Sequence, residues 1–178
     1  MKIFIAGPRA MRSLNGQVLE RLQGILQKDY TILVGDANGA DKAVQQYFAG
    51  RGYANVVVYA TDGKARNNLG GWPVQAVDAP DGAKGFAFYA AKDRAMAQDA
   101  DYGFMLWNGE SKGTLNNIVN LLGYGKKVLV YLQAGGHDQG DDFHLISSAQ
   151  SLEELLMLCP CETFELYKKL RADAEVYA

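Results

Sequence analysis

The stretch Thr31-Ile32-Leu33-Val34-Gly35-Asp36-Ala37-Asn38-Gly39-Ala40-Asp41 decides the fold. An apolar, β-branched run closed by a glycine reads as a strand buried on both faces. Gly35 and Gly39 then bracket a turn, and Ala43, Val44, Tyr47 and Phe48 follow at helical spacing, the stripe of a helix lying on a sheet. A strand that passes through a glycine turn directly into an amphipathic helix is the repeating unit of a parallel sheet.

Outward from that stretch the unit recurs. Residues 3–6 form a short apolar run ended by Gly7-Pro8, with Ser13 or Asn15 as the cap of a helix carrying Val18, Leu19, Leu22, Ile25 and Leu26. Residues 55–59 contain Val56-Val57-Val58, whose β-branched side chains favour a strand. Further on, 88–100 and 113–122 read as helices, and 102–107 and 127–132 as strands. The alternation predicts an α/β fold, a Rossmann-like three-layer sandwich with a mainly parallel sheet of about five strands in the order 3-2-1-4-5. Residues 1–178 are taken as one nucleotide-binding domain.

The segment 61–86 interrupts the pattern. It holds seven glycines and prolines and one apolar cluster at Trp72-Pro73-Val74. A connection that long predicts a lid over the site. Residues 133–142 are rich in glycine and aspartate, 143–146 suggest a short extra strand, and Ser151-Leu152-Glu153-Glu154 looks like a capping box. Pro160 breaks the helix that follows, and the helices within 151–175 are expected to pack on the domain.

Composition narrows the class. With 178 residues and 48% hydrophobic content, the chain can bury a sizeable core. A formal net charge of −2 supplies no field to grip a polyanion along its length, so no extended nucleic acid partner is expected. No apolar run approaches the ~20 residues that span a bilayer, which predicts no membrane partner and a cytoplasmic location. Cys159 and Cys161 flank one proline and read as reduced thiols, while His137 and His144 lack zinc spacing. Neither a metal nor a cofactor is expected.

In an open parallel sheet, ligands bind beyond the carboxyl ends of the strands, where the strand order reverses. The first loop offers Gly7, Pro8 and Arg9, with Arg12 beyond them: a tight turn and guanidinium groups that fork onto phosphate. The second offers Gly35 and Gly39 for close approach of backbone, and Asp36 and Asp41 as acceptors for a ribose or amine. The loop after the fourth predicted strand runs Asn108-Gly109-Glu110-Ser111-Lys112-Gly113-Thr114 into a helix start, where free N–H groups favour an anion. It is not a Walker A loop, because the order of glycine, lysine and hydroxyl differs. Trp107 at the strand end offers a stacking face, although an aromatic there more often belongs to the core. The third helix adds Lys92, Asp93 and Arg94, unless these are merely its solvated face.

With these loops assembled, the chain resembles the SLOG superfamily of Rossmann-like proteins, which includes the cytokinin-activating phosphoribohydrolases once called lysine decarboxylases. The residues that carry the resemblance are Gly35 to Asp41, Arg94-Ala95-Met96 ahead of Ala100-Asp101, and Trp107 to Thr114. It implies a nucleotide-derived ligand with Ser111, Gly113 and Thr114 around its phosphate and Arg94 as counter-charge. Phosphoribohydrolases carry Pro-Gly-Gly-x-Gly-Thr-x-x-Glu, and the final position here is Asn117, which has no titratable carboxyl group. The opening Phe4-Ile5-Ala6-Gly7-Pro8 is also similar to the start of nucleoside 2-deoxyribosyltransferases, which use the same glutamate.

The resulting expectation is a sensor or binding module for a nucleotide or nucleotide-derived phosphate small molecule. The alternative is a hydrolase or transferase of a nucleoside or nucleotide N-glycosidic bond, weakened by Asn117. A homo-oligomeric interaction protein is a third class, suggested by Trp72, Trp107 and the aromatic final helix.

Overall fold

The computed structural model describes residues 1–133 and 142–176. Its elements in chain order are β1 (Lys2–Ala6), α1 (Gly16–Gln27), β2 (Thr31–Gly35), α2 (Ala40–Ala49), β3 (Val56–Thr61), β4 (Val74–Val77), α3 (Phe86–Asp99), β5 (Tyr102–Trp107), α4 (Lys112–Gly123), β6 (Lys127–Leu132), β7 (Asp142–Ile146), α5 (Ala149–Leu156) and α6 (Cys161–Val176). The strands form one seven-stranded sheet in the order β4-β3-β2-β1-β5-β6-β7. All neighbours pair parallel except β6 and β7.

The expected order 3-2-1-4-5 is present as β3-β2-β1-β5-β6, and the expectation of about five strands is corrected to seven. Both added strands lie at edges. β4 escaped the pattern because Val74-Gln75-Ala76-Val77 is short and largely exposed, and its place is set by its pairing with β3, from Val58 opposite Val74 to Thr61 opposite Val77.

Period-2 alternation splits the core between the two faces of the sheet. Ile3 and Ile5 of β1 join Val18 and Leu22 of α1 and Val44 and Phe48 of α2. Phe4 and Ala6 face the other way, toward Met96 and Ala97 of α3, Leu115 and Ile118 of α4, and Leu152, Leu155 and Tyr167 of the terminal helices. Asn15 is the cap of α1, its side chain accepting from the Val18 N–H at 3.1 Å. The cap of α5 is Ser148, three residues before the expected one, and Ser151 is the reciprocal partner of that box.

Part of the stretch read as a lid is a crossover between two parallel strands. Residues 62–73 connect β3 to β4 along the α2 side, where Trp72 is buried and its indole N–H donates to the Tyr53 carbonyl at 2.8 Å. Asn68 closes the turn, accepting from the Trp72 N–H and donating to its carbonyl. Trp72 and Trp107 are both core residues, so neither offers the interaction surface suggested for them. Most of 133–142, including His137, lies outside the described residues. Among the described residues, no helix is long and apolar enough to cross a membrane.

Candidate functional site

The strand order reverses between β1 and β5, which pair from Ile3 opposite Tyr102 to Ala6 opposite Met105. The loops after β1, β2, β3 and β5 therefore converge on one edge of the sheet. Their first layer is a buried ionic cluster.

Asp36 ends the β2 turn and is 3% exposed. It accepts from the Arg66 backbone N–H at 3.0 Å, from Arg66 Nε at 2.9 Å and from Arg66 Nη2 at 2.8 Å. Lys92, on α3, is 4% exposed, with its ammonium 2.8 Å from Asp93 and 4.0 Å from Asp36. Asp41, in the first turn of α2, accepts from the Ala37 N–H at 3.2 Å. Gly35 leaves the space in which these groups meet: a Cβ there would stand 2.3 Å from Asp41 Oδ2 and 2.7 Å from Lys92 Nζ.

Electrostatics follow from that crowding. Burial alone would raise the Asp36 carboxyl, yet the Arg66 hydrogen bonds and the Lys92 charge hold it below its ordinary value. Burial pushes Asp41 up to about 6; Lys92 opposes this, and Asp93 and Asp36 add to it. Burial disfavours the Lys92 ammonium, but Asp93, Asp41 and Asp36 together keep it above its ordinary value. Asp36 is thus the fixed partner of Arg66, and Asp41 is coupled to Lys92 through charge alone. The solvated-face reading holds for exposed Arg94 and fails for Lys92.

Above the cluster lies an aromatic and cationic surface. Gly85, at φ +58°, starts α3, and Thr61 at the end of β3 donates to the Phe88 carbonyl at 3.3 Å, which fixes the first turn of the helix. Tyr89 in that turn carries two guanidinium groups over its ring, Arg9 at 4.9 Å and Arg66 at 4.6 Å from the centroid. The Lys112 ammonium, at the start of α4, lies 4.3 Å from the centre of the Phe86 ring. Phe86 is 43% exposed. Such pairs contribute roughly 0.5–1 kcal/mol each at exposed positions.

The β1 loop is held from below. Gly39 has φ +87°, and a Cβ on it would stand 2.3 to 2.6 Å from the carbonyl group and Cα of Arg9. The Ala40 N–H donates to the Pro8 carbonyl at 3.2 Å, and Gly7 packs so closely on Ala40 and Leu106 that a Cβ would meet them at 2.8 to 3.0 Å. Gly39 and Gly7 thus serve close packing of one segment of the chain on another.

The loop after β5 spends its polar groups on itself. Asn108 Oδ1 accepts from the Glu110 and Ser111 N–H groups, and Ser111 caps α4 by accepting from the Thr114 N–H. The Thr114 and Ser111 hydroxyls lie 3.1 Å apart. Trp107 is fully buried, with its indole N–H bound to the Ser111 carbonyl at 3.2 Å, so its ring stacks on no ligand. Thr163 of α6 donates to the Gly109 carbonyl at 2.7 Å and ties down the loop. Gly113 has open space around it, and Asn117 is buried further along α4.

A separate recess of about 430 Å³, lined by Gln23, Asp29, Arg51, Tyr53 and Asn55 among others, lies at the opposite, amino end of β2 and β3. Among the described residues, no group of three or more histidines, cysteines and acids is placed to hold a metal ion. Sequence reasoning missed Arg66, Phe86 and Tyr89 as members of the carboxyl edge. Phe86 and Tyr89, three apart at a helix start, were the legible signal. Arg66 had none, because the crossover that carries it has no periodicity.

No protein-family model matches the chain, and no curated protein sequence matches it significantly. Among solved structures, its fold is similar to that of DNA processing protein A from Helicobacter pylori, described for its single-stranded DNA binding mode, with a TM-score of 0.58 and 13% identity over 97% of this chain and 81% of that one. It is also similar to DNA processing protein A from Streptococcus pneumoniae, with a TM-score of 0.55 and 16% identity over 86% of this chain and 60% of that one. The Rossmann-like core is thereby shared with these proteins. Two expectations are corrected by the likeness: the fold does not single out a small nucleotide-derived ligand, and the net charge does not exclude extended nucleic acid. A whole-chain sum of −2 carries no information on local charge, and Arg9, Arg66 and Lys112 lie over the Tyr89 and Phe86 rings at this edge.

Proposed function

We propose that the carboxyl edge of the sheet binds single-stranded nucleic acid. Unpaired bases stack on Phe86 and on the guanidinium planes that lie over Tyr89, and Arg9, Arg66 and Lys112 supply the positive charge for the phosphates. The observation that carries this reading is Tyr89 beneath two guanidinium groups with Phe86 beside an ammonium. Phe86 and Tyr89 lie three apart on α3, so their side chains are neighbours on one helix face. An aromatic face accepts any base and nearby cations accept the backbone, a combination that binds unpaired strand with little sequence preference, whereas a duplex hides its base faces. The fold likeness to a protein described for single-stranded DNA binding supports the same reading. We also assign the chain to the SLOG-type Rossmann-like proteins, on the Gly35 to Asp41 turn between β2 and α2 and the Gly109 to Thr114 loop entering α4.

Anisotropy of a labelled oligothymidine tests the proposal. Tyr89→Ala is expected to weaken binding by about 1–3 kcal/mol, roughly 5- to 150-fold, while Tyr89→Phe keeps it near wild type. With three cations engaged, log K should fall with log salt at a slope of about −2. Absence of wild-type binding at low salt, or a duplex that competes as well as the single strand, sinks the reading.

A further inference from the structure

The motif that decided the fold does not lie on the aromatic surface. We propose that the Gly35–Asp41 turn is a bracket that positions the two arginines of Tyr89, with Asp36 as the positioning residue for Arg66 and Gly39 as the seat of Arg9. This inference rests on the single-strand reading of the same edge and assigns the motif a role within it.

The geometry on the Arg66 side is a built clamp. Asp36 receives three hydrogen bonds from one residue, two of them from the guanidinium fork, a pairing that fixes the plane of the group as well as its place. Around it the crossover is stitched to the same turn. Asn67 donates to the Asp36 carbonyl at 2.8 Å and to Asn38 Oδ1 at 3.1 Å. Buried Gln45 of α2 donates to the Gly35 carbonyl at 2.9 Å and the Asn67 carbonyl at 3.1 Å, and accepts from the Leu69 N–H at 3.0 Å. Lys92 lies 4.0 Å from Asp36, and its charge favours the ionised carboxylate that Arg66 grips.

On the Arg9 side the constraint is steric. Gly39 accepts the Arg9 main chain at a distance no side chain would permit, so the β1 loop rests directly on the turn. One seven-residue turn therefore fixes Arg66 through charge and Arg9 through shape, and both guanidinium groups reach the same ring.

The sign of one substitution separates positioning from simple electrostatics. Asp36→Asn keeps the shape of the side chain and removes a negative charge. If Asp36 only neutralises Arg66, a polyanion binds the variant more tightly. If Asp36 positions Arg66, the strand binds more weakly, by about 10- to 150-fold, the value of a hydrogen bond to a charged group. The double variant Asp36→Asn, Arg66→Ala should then bind like Arg66→Ala alone, since Asp36 acts through Arg66. Arg66→Lys, which retains the charge without the fork and leaves Asp36 in place, should weaken binding comparably and guards against a folding defect in the Asp36 variant.

A readout independent of nucleic acid is the ¹⁵N resonance of Arg66 Nε, assigned by its loss in Arg66→Lys. It should be sharp and shifted by the Tyr89 ring in wild type, and broadened or moved to the free position in Asp36→Asn. Tighter or unchanged oligothymidine binding by Asp36→Asn, or an unmoved Nε resonance, overturns the bracket. A wild type that binds no single strand overturns the functional reading and the bracket's part in it, while the resonance still decides whether Asp36 fixes Arg66.

Discussion

Replacing Lys92 by methionine removes the cation on which Asp36, Asp41 and Asp93 converge, with little change in volume. Breaking a buried ion pair by deleting one partner costs about 3–5 kcal/mol, because the remaining charge is left uncompensated. Here the cost falls unequally. Asp36 keeps Arg66, and the Asp93 side chain is 19% exposed and can be hydrated, so Asp41, 7% exposed and left with the Ala37 N–H, bears the largest share, about half. That places the loss at about 3 kcal/mol at pH 7, the lower end of the range. The loss should shrink on acidification. Burial pushes the Asp41 carboxyl of the folded protein up to about 6, above its ordinary value, so its protonation favours the folded state and this contribution is lost as pH rises through 6. Without Lys92 the same carboxyl titrates higher still. At pH 5 it is protonated in both proteins, and the variant escapes about 1.4 kcal/mol for each unit of pH between its ionisation in wild type and pH 7. Urea denaturation followed by circular dichroism should thus give a deficit near 3 kcal/mol at pH 7 and about 1.5 kcal/mol at pH 5. With a slope of about 2 kcal/mol per molar urea, the neutral-pH midpoint falls by roughly 1.5 M. A deficit below about 1 kcal/mol, or one equal at both pH values, would refute the assignment of Lys92 as the shared counter-charge.

Two further outcomes are expected. Asn117 is 4% exposed and its Oδ1 finds no hydrogen-bond partner among the described residues, so Asn117→Leu should raise thermal stability by about 1 kcal/mol, and a lowered melting temperature would count against that environment. Burial pushes the half-buried Cys159 thiol up to about 11, whereas Cys161 is exposed, so iodoacetamide at pH 8 should label Cys161 and spare Cys159 when peptides are mapped by mass spectrometry.

A glutamate at the place of Asn117 serves glycosidic cleavage in the phosphoribohydrolase pattern, and here the position is both uncharged and buried. The hydroxyls of Ser111 and Thr114, expected around a phosphate, are engaged with one another at the cap of α4. What the edge presents outward is a set of rings and cations, from segments that no local motif joins.

The sequence alone determined the alternation of strands and helices, the inner strand order and the convergence of loops at the carboxyl edge. The alternation follows from hydrophobic period and glycine turns, which are local properties of the chain, and the strand order and loop convergence from the arrangement common to open parallel sheets. It also marked Gly35 to Asp41 as the decisive turn. Only the tertiary structure decided what that turn does, because its partners are remote: Asp36 meets Arg66 thirty residues away, and Gly39 meets Arg9 in an earlier loop. The charge state of Asp41, the burial of Lys92 and the placement of Tyr89 beneath two arginines likewise depend on desolvation and on contacts across elements. Such quantities exist only once the chain has folded, since neither burial nor distance is a property of neighbouring letters.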